Sequence, residues 1–134
     1  MTIRAKNRGM IAGIVISVVA FAATLLPIVA SPGDDAVRDI QIVVRDMTFY
    51  VEGSSEPNPA ITFRAGERVR IRLRNEDPGM RHDFSIRSWA VATRMLDDRG
   101  EEDEILFRVP TIRGAETYRC TPHATMMTGT IRVE

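Results

Sequence analysis

Arg68-Val-Arg-Ile-Arg-Leu-Arg74 alternates charged and aliphatic residues at period two over its whole length. Side chains along an extended backbone point alternately to opposite faces, so the run reads as a strand. Val69, Ile71 and Leu73 face a core, and the four Arg form a solvated sheet face in preference to an anion-docking surface. Segments of the same kind recur on both sides. Val37-Arg-Asp-Ile-Gln-Ile-Val-Val44, Met47-Thr-Phe-Tyr-Val51 and Ile61-Thr-Phe-Arg64 precede it. His82-Asp-Phe-Ser-Ile86, Ile105-Leu-Phe-Arg-Val109, Thr117-Tyr-Arg-Cys120 and Thr130-Ile-Arg-Val133 follow. Turn formers gather between them, in Glu52-Gly-Ser-Ser-Glu-Pro-Asn-Pro59, Ala65-Gly66-Glu67 and Asn75-Glu-Asp-Pro-Gly-Met80. Residues 88–96 read as a helical turn around Trp89, Val91 and Leu96. Asp97-Asp-Arg-Gly-Glu-Glu-Asp-Glu104 reads as a solvated acidic connection. Seven or eight short strands in about 100 residues describe an all-β Greek-key sandwich or barrel.

The chain has 134 residues, 44% hydrophobic and 27% charged, which is room for one such domain and a short appendage. Lys+Arg and Asp+Glu both total 18. Beyond residue 33 the balance is a net charge of −3, which excludes a nucleic-acid binder because no local excess of positive charge is left to neutralise phosphates. Arg4, Lys6 and Arg8 stand before a run from Met10 to Ala30 that carries no charge. Its 21 residues match the ~20 a helix needs to cross the hydrocarbon core and exceed the apolar region of a secretory signal, about 7–15 residues. Residues 1–33 are therefore expected to be one hydrophobic helix and its linker, an uncleaved membrane anchor in preference to a signal peptide cleaved near Ala20-Phe21-Ala22. The basic N-terminal flank keeps that end in the cytoplasm and puts residues 34–134 on the extracytoplasmic side, periplasmic or extracellular, or secreted if the segment is removed.

Chemistry concentrates in two places. Cys120 is the one cysteine and His82 and His123 are the two histidines, with Met126 and Met127 close behind in Cys120-Thr-Pro-His-Ala-Thr-Met-Met127. Each alone is ordinary core or surface filler. Together they offer a thiolate, two imidazoles and a thioether, the set that binds copper in a trigonal site with a weak axial bond. Zinc is the competing metal, but its structural sites draw four ligands from Cys and His, which are scarce here. A single cysteine also rules out an internal disulfide, and leaves packing or a metal to stabilise the core.

The residues Asn75-x-Asp77, His82-Asp-Phe84 and Tyr118-x-Cys120-Thr-Pro-His123-x-x-Met-Met127-x-Gly129-x-Ile131 resemble the cupredoxins, the small blue copper proteins, over about Val37 to Glu134. The resemblance implies a cupredoxin-like sandwich and one copper ion, Cu+/Cu2+, held by His82, Cys120, His123 and a methionine. Met127-Thr-Gly-Thr-Ile131 fits the usual entry to the last strand and favours Met127; Met126 is the alternative, at a shorter spacing from the histidine. It implies outer roles for Asn75, Asp83 and Thr121. Many members have Asn after the first histidine, where this chain has Asp83, whose bond near Thr121 ties the two loops together. Negative charge there, and the absent N–H of Pro122, are expected to lower the potential.

The function these features imply is a one-electron carrier between a redox donor and acceptor outside the cytoplasmic membrane, tethered to it by the N-terminal helix. The alternative with the same donors is a copper-trafficking protein without redox turnover, and a third reading makes the three residues structural. An enzyme is not expected: a binuclear copper centre needs two Cys and a multicopper oxidase many more His.

Overall fold

The computed structural model describes residues 36–134, and the hydrophobic helix expected at 1–33 lies outside them. Among the described residues nine strands follow one another: β1 (Val37–Arg45), β2 (Thr48–Val51), β3 (Ile61–Phe63), β4 (Arg68–Asn75), β5 (Ser85–Ile86), β6 (Val91–Ala92), β7 (Glu102–Arg108), β8 (Gly114–Arg119) and β9 (Thr128–Val133). They form two sheets, ordered β2-β1-β4-β7 and β3-β9-β8-β5-β6. β4 is central in the first sheet, parallel to β1 with Ile42 opposite Leu73, and antiparallel to β7 with Ile71 opposite Ile105. In the second, β9 runs parallel to β3 and antiparallel to β8. No helix among the described residues is long and apolar enough to cross a membrane.

The period-two pattern of β4 does what it predicts: Val69, Ile71 and Leu73 are wholly buried. They meet Phe49, Phe84, Tyr118 and Ile131 in one core. The Phe49 ring stands edge-on to Phe84 and Tyr118, with centroids 5.7 and 5.5 Å away, while Phe84 and Tyr118 stack at 5.0 Å. Burying each such side chain is worth about 1.5–3 kcal/mol, and with no disulfide this packing carries the fold. The Tyr118 hydroxyl donates to the carbonyl of Pro59 at 2.7 Å, so its polar end is satisfied inside.

The arginines on the other face of β4 are solvated and paired. Arg70 and Arg72 reach Asp39 at 3.3 and 3.7 Å, and Arg72 and Arg74 reach Glu104 and Glu76 at 3.2 and 2.9 Å. This face explains a departure from the sequence reading. The acidic run at 97–104 is a connection only as far as Glu101; β7 begins at Glu102, because Glu102 and Glu104 stand opposite Arg74 and Arg72 in the ladder. Acidic residues with poor strand propensity are recruited by cross-strand charge. A second departure lies at 88–96. The helical turn is a single 3₁₀ turn, Arg87–Trp89, stopped by Ala90 in the left-handed region (φ 53°), after which β6 pairs back on β5 and Leu96 pairs with His82.

The parallel pairing gives the sandwich two distinct ends. Val37 lies beside Arg68 at one, and Val44 beside Asn75 at the other. β8 runs toward that second end and β9 starts from it, with Arg119 opposite Thr128.

Candidate metal centre

His82 follows a loop that Asn75 organises from the end of β4. The buried Asn75 amide donates to the carbonyl of Met80 at 2.7 Å, and its oxygen accepts the N–H of Asp77 at 2.9 Å. Gly79, at φ 66°, takes the left-handed turn between them. His82 is then fixed by its own backbone, which exchanges both hydrogen bonds with Leu96 at 2.9 and 2.8 Å. The ring is fully buried, with Nδ1 3.6 Å from Cys120 Sγ and Nε2 3.1 Å from the Asp77 carboxylate.

Cys120 directly follows β8, and the chain from it to β9 is one tight loop. The Cys120 N–H donates to the Met127 carbonyl at 3.0 Å, while the His123 carbonyl accepts from Met126 and Met127 at 3.0 and 2.9 Å. This brings His123 Nδ1 to 3.6 Å from Cys120 Sγ. The two imidazoles lie 5.0 Å apart between centroids, inclined at 55°. Sγ of Cys120 and one ring nitrogen from each of His82 and His123 all fall within 4.8 Å of one another. An ion about 2.0–2.3 Å from nitrogen and sulfur donors in tetrahedral or trigonal array would separate N from S by about 3.6–3.8 Å. The donors therefore fit a transition-metal ion of the soft, nitrogen-and-sulfur class.

Burial pushes the Cys120 thiol up to about 11, with the Asp83 carboxylate adding to it and hydrogen bonds from the backbone opposing it. Burial also lowers the basicity of His82, against the attraction of Asp77. Burial thus disfavours the charged forms of both groups, which face each other across 3.6 Å. A cation there would displace the thiol proton and supply the missing partner.

The outer residues named by the sequence are at hand. Asp83 receives the Thr121 N–H at 2.5 Å and the Thr121 hydroxyl at 2.6 Å on its two oxygens, so the two donor-bearing segments are cross-tied. Met127 is fully buried in the same cluster as Cys120. Met126 is 57% exposed, and its carbonyl accepts from the Asn58 amide at 3.1 Å. His123 is half-buried, in a loop whose Thr121, Pro122 and Met126 are exposed. Asp77 has no role legible in the sequence alone. A carboxylate five residues before the first histidine was the available signal, but nothing in the spacing shows that the loop folds it back onto the ring.

No family model matches the chain, and no curated protein does. Among solved structures, it is similar to a variant of rusticyanin at 19% identity, covering 73% of this chain and 78% of that one, with a TM-score of 0.58. Auracyanin B gives 0.56 at 18% identity over 72% of this chain and 88% of that one. Auracyanin A, a "blue" copper protein from the green thermophilic photosynthetic bacterium Chloroflexus aurantiacus, gives 0.53 at 17% identity over 74% and 100%. At this level of identity the likeness speaks for the fold, and residues 36–134 have the cupredoxin fold that the motifs imply.

Proposed function

We propose that the chain is a blue copper protein that carries one electron at a time between redox partners. One copper ion would be held by Nδ1 of His82, Sγ of Cys120 and Nδ1 of His123, with the Met127 thioether as a fourth, weaker donor. The observation that carries this reading is the convergence of one buried thiol and two imidazoles within 4.8 Å, from segments held together through Asp83 and Thr121. Complete burial of Met127 beside Cys120 favours it over the exposed Met126.

Copper bound by this set supplies a centre that exchanges a single electron. The protein's contribution is to hold the donors still. The His82 backbone is locked to Leu96, and the loop from Cys120 to Met127 is closed by its own hydrogen bonds. A site that cannot relax around either oxidation state keeps the reorganisation cost of transfer low. The half-buried His123 is the edge through which electrons enter and leave. Exposed Pro122, Met126 and Met80 on the two loops offer an apolar surface for brief encounters with a partner.

The location belongs to the same proposal. Residues 1–33 tether the domain of residues 34–134 on the extracytoplasmic side, or are removed to release it. β1 begins at the end of the sandwich opposite the Val44–Asn75 end. Electron carriage is tested by loading the protein with copper and measuring electron self-exchange; a strongly coloured protein with rapid exchange supports the carrier, and one without exchange supports copper trafficking.

A further inference from the structure

Asp77 is a carboxylate with three nitrogens around it. One oxygen accepts the N–H of Asp46 at 2.6 Å; the other accepts the N–H of Met47 at 2.9 Å and lies 3.1 Å from Nε2 of His82. Asp46 and Met47 are the two central residues of the β1–β2 turn, flanked by the Arg45–Thr48 pair, and both are left-handed at φ 50° and 57°. Such a turn matches the twist of the strands, but it costs two residues with side chains a conformation they rarely adopt. The N–H groups of both central residues of the turn donate to the same carboxylate. Asp77 is itself aimed by the bond from its own N–H to Asn75 and is only 8% exposed.

We infer that Asp77 is a positioning residue for the metal centre, joining the β1–β2 turn to His82 and fixing which nitrogen of that ring faces Cys120. This rests on the copper reading above only for its effect on potential; the effect on the ring stands without a metal. A carboxylate oxygen accepts, so the geometry calls for the proton on Nε2, the ring nitrogen 3.1 Å from it. Nδ1 is then left with its lone pair free, facing the sulfur 3.6 Å away. Without Asp77 the buried ring is free to carry its proton on Nδ1 instead, which blocks the donor atom. The same carboxylate also puts a negative charge one imidazole away from the ion and stabilises the more highly charged oxidation state.

Asp77→Asn is the direct test, because the amide has one acceptor oxygen for three donors and turns an N–H₂ toward one of them. The full chain is prepared metal-free with ¹⁵N-labelled histidine, and the ring nitrogen shifts of His82 are recorded near neutral pH. The wild type is expected to show the Nε2–H form alone, and D77N a mixture. The same two proteins loaded with copper are then titrated for reduction potential. The affinity ratio of copper(I) to copper(II) is expected to rise about tenfold in D77N, which is about 59 mV upward for one electron. To separate loosening of the turn from the effect on the ring, D77N is also made with Asp46→Gly and Met47→Gly, since glycine adopts positive φ without strain.

Unchanged His82 shifts and an unchanged potential, with only a lower melting temperature, would overturn the inference and leave Asp77 as a cap of the turn. If the wild type binds no copper, the functional proposal fails, while the shifts of the metal-free protein still decide the role of Asp77.

Discussion

Met127 and Met126 are adjacent in the chain and opposite in environment, one wholly buried and the other 57% exposed. Replacing each by Leu separates them. Met127→Leu removes the axial thioether without opening a cavity, so the copper protein should keep its colour and change its potential, whereas Met126→Leu should leave both the spectrum and the potential as they are. Voltammetry of the two variants checks this; a shift confined to Met126→Leu would reverse the assignment. Gly129 makes a different prediction. A Cβ on it would overlap the Tyr118 ring, which lies across it in the β8–β9 ladder. Tyr118 is wedged between Phe49, Phe84 and its bond to Pro59, so it has little room to yield. Gly129→Ala should cost about 1–3 kcal/mol or more in denaturant unfolding. A value near zero would mean that the ring can move.

At the scale of strands, β4 has an apolar row that is wholly buried and an arginine row that is paired but wet. Ile71→Ala should cost about 2–5 kcal/mol, because it leaves a hole between the sheets. Arg72→Ala should cost under about 1 kcal/mol, since Arg72, Asp39 and Glu104 are each about half exposed and screened by water. Equal losses for the two would contradict the division of labour between the faces. The same strand shows what was legible in advance. Val69, Ile71 and Leu73 announce their face through local alternation, and the Cys120–His123 segment announces its chemistry through composition. The start of β7 within the acidic run depends on arginines some thirty residues earlier in the chain, so no local propensity contains it. β6 is two residues long, too short for a period, and exists because β5 offers it an edge. The bond from Asp77 to His82 is hidden for a related reason, since it requires a loop closed by the Asn75 side chain.

For the whole molecule, the donor cluster lies between two segments that the second sheet and its loops bring together, so metal and fold are linked. An ion that binds the folded state alone adds stability by mass action, about 2.7 kcal/mol at a hundredfold excess over the dissociation constant. Copper should therefore raise the melting temperature of the protein in calorimetry, and Cys120→Ser should abolish most of that rise. Superimposable curves with and without the ion would favour a sandwich in which His82, Cys120 and His123 are merely structural. The proposed docking surface belongs to the same end of the molecule. Ala124→Glu places a charge beside His123 without touching a donor, and should slow transfer to a redox partner at low salt while the copper spectrum is retained. Unaltered rates would move the docking surface elsewhere.

The claim on which the rest depends is that Cys120 binds copper(II) as a thiolate between two imidazoles. It is tested most directly by the visible absorption of the copper(II)-loaded protein beside that of Cys120→Ser. An intense sulfur-to-copper charge-transfer band in the wild type, lost in the variant, is the predicted result; a wild type with no such band, or a band that survives the loss of the sulfur, would contradict the account.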